Sequence, residues 1–155
     1  MKKIAEANAK EIMAAYVAML RSVAIIHQNN HWQCSGPNFY SNHLMFERLY
    51  KEASEQSDAL AEKSIELFGI DVLDLKKQAG LIKTLVSIYA HGGSSDNETA
   101  LSNSIEAEKD FIKLSSNVIQ QLNKFKALSP GLEDLINGLM SDSENRIYLL
   151  KQAGW

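Results

Sequence analysis

The sequence has few of the residues that break helices or cross-link chains. Among its 155 residues there is one cysteine, Cys34, and there are two prolines, Pro37 and Pro130. A single cysteine excludes a disulfide bond within the chain and fits a reducing compartment, so a cytoplasmic location is expected. With only two prolines, helices can run through long segments without interruption.

Long basic runs and long apolar runs are also missing. The longest basic run is a pair of lysines, and the formal net charge is −3. The phosphate-neutralising surface of a nucleic-acid-binding protein is therefore not expected. Polar residues interrupt the N-terminal segment, unlike a signal peptide, and no apolar run approaches the roughly 20 residues of a membrane span. The composition predicts a protein that binds neither DNA nor a membrane.

Apolar residues recur at helical spacing along most of the chain. The pattern predicts long helices over about 5–32, 39–68, 97–122 and 130–153. Gly69 is the expected C-cap of the second helix, Asp96 or Asn97 the N-cap of the third, and Ser129 the N-cap of the fourth. Residues 70–90 predict a short helix or two, interrupted by Gly80, and a turn-rich loop follows at 91–97.

This order of elements predicts an all-α protein. Four long helices, with a short extra helix in the long connection between the second and the third, are the layout of a ferritin-like four-helix bundle. The length fits one domain over residues 1–155. A monomeric helical interaction domain has the same pattern and remains an alternative.

Candidate metal ligands share one face of the second helix. At about 100° per residue, His43, Glu47, Asp58 and Glu62 fall within about 100° of one another around the helix axis. Imidazole with carboxylates is a ligand set suited to iron and similar divalent metals. His43 and Asp58, however, lie about 22 Å apart along the helix, so the two ends of this face cannot hold the same ion within one chain.

A second chain can complete the set. His31 ends the first helix beside a short turn, which brings it close to His43. An antiparallel twofold pairing would set this histidine end against the Asp58 and Glu62 end of a partner and create two identical sites. The alternative for each residue taken singly is a solvated or capping role. His27, one turn before His31, is either a hydrogen-bonding partner behind the ligands or, as we expect, a solvated or capping residue. No functional role is expected of His91.

One familiar metal-binding pattern does not occur in the sequence. Di-iron sites inside a four-helix bundle use Glu-x-x-His on two helices, and no glutamate precedes a histidine by three residues here. A di-iron site of that kind within one chain is therefore disfavoured.

The segment 31–39, His-Trp-Gln-Cys-Ser-Gly-Pro-Asn-Phe, resembles the pattern His-Trp-x-x-x-Gly-Pro-x-Phe of the Dps family of mini-ferritins. The resemblance continues through His43, Asp58 and Glu62, and it is strongest over 27–69. It implies a shell of twelve chains that oxidises Fe(II), preferably with hydrogen peroxide, and stores ferric mineral. It also implies that His31 and His43 come from one chain and Asp58 and Glu62 from another. Glu47 stands where the family often has aspartate, and its extra methylene changes its reach to a second iron.

The resemblance assigns further roles. Trp32, next to a ligand, would pass or trap oxidising equivalents. An equally good interpretation is that its ring packs in the core or at an interface. Asp134, Asp142 and Glu144 would line pores for iron entry, or be plain surface acids. Relatives that bind DNA do so through lysine-rich termini, which this chain does not have, and twelve chains of charge −3 would carry about −36. An assembled shell that no longer oxidises iron remains a second alternative.

Overall fold

The computed structural model describes residues 2–89 and 96–154, and every regular element within them is helical. The elements, in chain order, are α1 (Lys2–Gln33), α2 (Phe39–Phe68), a short 3-10 helix (Ile70–Leu73), α3 (Leu75–Tyr89), α4 (Asn97–Lys124) and α5 (Pro130–Ala153). The four long helices form the bundle, and α3 lies in the connection between its second and third members. The predicted fold is confirmed.

The core forms where α1 faces α2 and α4. Met13, Tyr16, Leu20 and Val23 recur at spacings of three and four on α1 and are fully buried, as one face of a helix requires. The Tyr16 ring stacks on the Phe111 ring of α4 with 5.2 Å between their centres. Its hydroxyl group also forms a buried 2.8 Å hydrogen bond with a serine hydroxyl of α4. These contacts hold the two helical hairpins, α1–α2 and α4–α5, in one bundle.

The predicted interruption at Gly80 is wrong, because α3 runs through this glycine without a break. One glycine inside a helix costs only about 1 kcal/mol relative to alanine. Packing against α1 offsets that cost, since the Gln78 side chain is buried and its Nε2 donates a 2.8 Å hydrogen bond to the Ala14 carbonyl oxygen.

The predicted helix caps are confirmed. The Asp96 side chain accepts a hydrogen bond from the Thr99 N–H, and the Ser129 side chain caps α5 in the same way, with Pro130 in the first turn. Gly69 ends α2 with φ 88°, a left-handed conformation that favours glycine. Most of the predicted loop at 91–97, including His91, lies outside the described residues. None of the helices in the described ranges is long and apolar enough to cross a membrane.

Candidate metal centre

His31 and His43 meet where α1 ends and α2 begins. Their rings stack with 3.8 Å between centres and 25° between planes. The five-residue turn that follows α1 makes this contact possible, because it folds α2 back along α1 at once. Each ring also binds the other residue's backbone: His31 Nδ1 donates to the His43 carbonyl oxygen at 2.9 Å, and His43 Nδ1 donates to the His31 carbonyl oxygen at 2.9 Å.

These reciprocal hydrogen bonds decide where each ring carries its proton. A carbonyl oxygen only accepts, so both Nδ1 atoms must bear hydrogen. In a neutral ring the lone pair is then on Nε2, the atom left free to bind a metal. A partner on the second ring nitrogen is the usual way in which proteins fix the tautomer and orientation of a metal-binding histidine. The pair thus presents two adjacent nitrogen atoms that could bind a metal ion.

Aromatic side chains surround the histidine pair. The Tyr50 ring meets His31 edge-on at 5.4 Å, and the Phe39 ring lies 5.1 Å from His43. Cys34 is buried beneath them and donates from Sγ to the His31 carbonyl oxygen. Burial raises the pKa of this thiol, which disfavours a reactive role for it. Trp32, by contrast, is 67% exposed, which is unusual for so large an aromatic side chain.

Glu47 lies one turn after His43, on the same side of α2. Its carboxylate accepts a 2.5 Å hydrogen bond from Lys51 Nζ. The hydrogen bond and charge of Lys51 lower the pKa of Glu47, and the two nearby histidines lower it further. The carboxylate is therefore charged and close to the pair, but a metal ion would have to replace Lys51 as its partner.

The other two predicted ligands lie further along α2. Asp58 and Glu62 are both exposed. Asp58 lines a cleft of about 370 Å³ between α1 and α2, with Val17 and Arg21 on the opposite wall. Among the described residues, neither carboxylate has a hydrogen bond or an ion pair inside the chain. Both are free to meet a group from outside it.

No complete metal site forms within the described part of one chain. In residues 2–89 and 96–154, no three His, Cys, Asp or Glu side chains come close enough together to hold an ion. The structure brings His31 and His43 together and leaves Asp58 and Glu62 at a distance, as the spacing along α2 requires.

The three acids predicted to line iron-entry pores lie apart on α5. Asp134 and Glu144 are exposed, whereas Asp142 is half-buried and accepts a 2.8 Å hydrogen bond from Gln56 Nε2 of α2. Two residues along a helix are about 200° apart around its axis, so Asp142 and Glu144 point in nearly opposite directions. Within one chain these acids do not form a common patch.

A buried polar cluster between the helices has no counterpart in the predicted sites. His27 of α1, Glu108 of α4 and Arg146 of α5 are each 0% exposed. His27 Nε2 and Arg146 Nε donate to the same oxygen, Glu108 Oε1, at 2.7 Å and 2.6 Å. From α2, Glu52 Oε1 and Gln56 Oε1 accept from Arg146 Nη1 at 3.3 Å and 2.8 Å. The solvated or capping role expected of His27 is therefore wrong.

The charges in this cluster balance around Glu108. Burial raises the pKa of Glu108, but the hydrogen bond from His27 and the guanidinium of Arg146 outweigh it, and the pKa falls to about 2. His27 Nδ1 has no hydrogen-bond partner, unlike every other buried side-chain nitrogen or oxygen atom of the described residues. Glu108 therefore accepts from both His27 and Arg146, and the far nitrogen of the His27 ring is left without a partner among the described residues.

Comparison with known proteins agrees with this architecture. The family model of the ferritin-like domain matches residues 10–153. The DNA protection during starvation protein of Brevibacillus brevis is 28% identical over 124 residues, which are 79% of this chain and 78% of that protein. A second protein of that name, from Bacillus anthracis, is 23% identical over 79% of this chain and 80% of its own length.

Solved structures share the fold. The Dps protein of Bacillus brevis superposes with a TM-score of 0.82 at 22% identity and covers 98% of each chain. The Dps of Thermosynechococcus elongatus also gives 0.82, at 19% identity, over 97% of this chain and 92% of its own. The Vibrio cholerae Dps, described as a member of a broad superfamily of ferritin-like diiron-carboxylate proteins, gives 0.79 at 15% identity over 96% and 90%. The resemblance found in segment 31–39 is thereby confirmed: the chain belongs to the ferritin-like family, and within that family to the Dps proteins.

Proposed function

We propose that two copies of this chain pair to complete two identical iron-oxidising sites. Each site takes His31 and His43 from one chain and Asp58 and Glu62 from the other. Twelve chains would assemble into a shell that oxidises Fe(II), preferably with hydrogen peroxide, and keeps the ferric product inside. Iron is then the substrate and cargo of the protein, and a cytoplasmic location fits this role.

The reciprocal hydrogen bonds of His31 and His43 carry this proposal. They leave two neighbouring Nε2 lone pairs, and the acid one turn further along α2, Glu47, is held by Lys51. Two neutral nitrogens bind Fe(II) weakly and leave its charge uncompensated. Exposed and unengaged carboxylates at the far end of α2 are the complementary half, and a twofold axis brings one half to the other.

The reaction proposed at these sites is the oxidation of Fe(II) by hydrogen peroxide. Two Fe(II) ions each lose one electron to one peroxide molecule, whose O–O bond breaks. The oxygens end in ferric oxyhydroxide, two water molecules are taken up and four protons are released. The carboxylates stabilise the rise in charge from Fe(II) to Fe(III), because anionic oxygen ligands suit the harder ion. Trp32, adjacent to His31 and largely exposed, would trap an oxidising equivalent that escapes.

Iron has to reach these sites, and we keep the three acids of α5 as candidates for its entry. Asp134 and Glu144 are exposed, so they are available to a pore between chains. Asp142 is already bonded to Gln56, and its contribution would be the weakest. The test is Asp134→Asn against Asp142→Asn: slower mineral formation is expected from the first and little change from the second. Equal rates in both variants would count against the pore assignment.

The relatives are named for protection of DNA during starvation. We propose that protection by this chain comes from removing Fe(II) and peroxide and not from binding DNA. The net charge of −3 and the absence of a lysine-rich run support this view. A gel-shift assay at low salt should show no retained DNA, and tight retention that salt abolishes would contradict it.

Mixed shells test the shared site. The variants His31→Ala and Asp58→Asn should each lose fast ferric formation when Fe(II)-loaded protein meets peroxide in a stopped-flow experiment. After dissociation and random reassembly of the two together, half of the pairs combine both variants, and one of the two sites in such a pair is intact. About a quarter of the wild-type sites should return.

The control is Glu55→Gln, which changes another exposed carboxylate of α2 and should leave the rate unchanged. Mixed shells that regain no activity, although sizing shows them assembled, would contradict sharing between chains. A wild-type protein that forms no ferric product rapidly would contradict the catalytic role itself.

A further inference from the structure

Two large apolar side chains are exposed on the side of the bundle where α1 lies beside α2. The Trp32 ring at the end of α1 is 67% exposed, and Leu75 at the start of α3 is 77% exposed. At about 100° per residue, Trp32, Ile25 and Arg21 fall within about 40° of one another around α1. Arg21 and Leu75 both line the cleft beside Asp58, so the tryptophan lies on the same face of the molecule as this cleft.

The cleft beside Asp58 has the features of a site for an aromatic side chain. Its volume is about 370 Å³, and its walls combine apolar groups of Val17 and Leu75 with the hydroxyl group of Ser57. A buried indole ring needs an acceptor for its N–H group. Ser57 Oγ donates to a backbone carbonyl oxygen of its own helix, which leaves the hydroxyl oxygen free to accept such a bond.

Arg21 brings a positive charge to the same cleft. Its Nη1 donates a long hydrogen bond of 3.4 Å to Gln78 Oε1, and Arg21 has no other hydrogen bond or ion pair among the described residues. A planar guanidinium stacks favourably on aromatic faces, and tryptophan is the best partner. The cleft therefore offers an apolar wall, a hydrogen-bond acceptor and a loosely held cation to an indole ring.

The position of the cleft along the bundle matches that of Trp32 in a twofold partner. The stacked rings of His31 and His43 fix the register of α1 against α2, so Trp32 lies level with position 42 of α2. The pairing proposed above sets His43 of one chain against Asp58 of the other, and position 42 then meets position 59. Position 59 falls within segment 54–61, the part of α2 that lines the cleft.

We propose that the cleft beside Asp58 binds the Trp32 side chain of a second copy of this chain, with the ring against Leu75 and the guanidinium of Arg21 over its face. A twofold axis makes the contact reciprocal, so it occurs twice in each pair. The contact rests on the pairing proposed above and adds a specific anchor to it. The ring beside His31 enters the same partner that provides Asp58, and it shields that edge of the shared iron site from water.

Trp32 fluorescence in metal-free protein tests the proposal. Trp155→Phe leaves Trp32 as the single tryptophan of the chain, and the protein is measured both assembled and dissociated into single chains, as checked by light scattering. Assembly should shift the emission to shorter wavelength and reduce quenching by acrylamide several-fold.

A matched pair of variants locates the ring. Leu75→Ser removes one wall of the cleft and should restore part of the quenching in the assembled protein. Ile70→Ser is the control, because Ile70 is 80% exposed but does not line the cleft, and it should leave the quenching unchanged.

Two changes of size test the contact by a second route. Ser57→Phe fills the cleft, and Trp32→Ala removes the aromatic anchor, so each should weaken pairing at least about tenfold in dilution experiments. The double variant sets a small side chain against the filled cleft and should pair more tightly than Ser57→Phe alone. If Ser57→Phe does not fold, as judged by its helicity, the fluorescence comparison decides the proposal.

A Trp32 ring that is quenched as strongly in assembled as in dissociated protein would overturn the proposal. Equal effects of Leu75→Ser and Ile70→Ser, or a double variant that pairs no more tightly than Ser57→Phe, would do so as well. These results leave the shared iron site untouched, because the mixed shells of His31→Ala and Asp58→Asn test that site separately. A protein that remains a single chain at every concentration would contradict both proposals.

Discussion

Glu108→Gln removes one charge from the centre of the bundle and keeps the side chain's size. The pKa of Glu108 lies at about 2 in the folded chain against an ordinary value of 4.5. A difference of about 2.5 between the two values corresponds to about 3 kcal/mol of stability at neutral pH. Loss of one member of a buried ion pair costs about 3–5 kcal/mol. For a chain of this length, the unfolding temperature should fall by about 6–12 °C.

The pH dependence gives the sharper test. A carboxylate whose pKa is lowered by folding contributes its full stability above the unfolded value and loses it as the pH falls through the folded value. The wild-type advantage over Glu108→Gln should therefore be constant above about pH 4.5 and shrink towards pH 2. Calorimetry at fixed protein concentration over this range measures it.

The matched control is Glu106→Gln, two residues earlier on α4. Glu106 is half exposed and pairs with Lys109 at the surface, so its loss should cost no more than about 0.5 kcal/mol. If Glu108→Gln is as stable as this control at neutral pH, or keeps the same disadvantage at pH 2 as at pH 7, the charge balance described for the cluster is wrong.

Three further predictions concern other parts of the molecule. Gly69→Ala should destabilise the fold by about 1–2 kcal/mol in denaturant titrations, because φ is 88° and the new Cβ would lie 3.1 Å from Asp71 Oδ1. The control is Gly138→Ala, inside α5 with open space around it, which should instead stabilise the fold by up to about 1 kcal/mol. Lys51→Ala should tighten anaerobic Fe(II) binding several-fold by calorimetry, since Glu47 loses its competing partner, and unchanged affinity would remove Glu47 from the ligand set. Trp32→Phe should leave the number of bound Fe(II) ions unchanged but abolish the tryptophan radical signal after peroxide addition; the same signal in both proteins would exclude Trp32 as its source.

Much of the fold could be predicted because its signals are local. Periodic apolar residues, the capping side chains of Asp96 and Ser129 and the turn around Gly36 each act within a few residues. The interruption predicted at Gly80 is wrong because the effect of this glycine is not local. Its effect on α3 depends on packing against α1, which no short window of sequence contains.

The candidate site could be predicted in part. Distance along one helix shows that His43 and Asp58 cannot share an ion, and the short turn places His31 beside His43. The reciprocal ring-to-backbone bonds could not be predicted, because they depend on the exact angle at which α1 meets α2.

The sequence does contain a pattern that indicates the buried cluster. His27 follows Leu20 and Val23 at core spacing on α1, and Glu108 stands at the core spacing of Ser104 and Phe111 on α4. A charged or titratable residue at such a position needs a partner on a facing helix. The solvated or capping role expected of His27 takes no account of its place in this pattern, which indicates a buried side chain.

Iron anomalous scattering from Fe(II)-soaked crystals would show whether two chains share each iron site. We expect two equivalent peaks per pair of chains, each between His31 and His43 of one chain and the carboxylates Asp58 and Glu62 of the other. Iron bound by ligands of one chain alone, or a crystal in which the two ends of α2 meet no twofold partner, would contradict it.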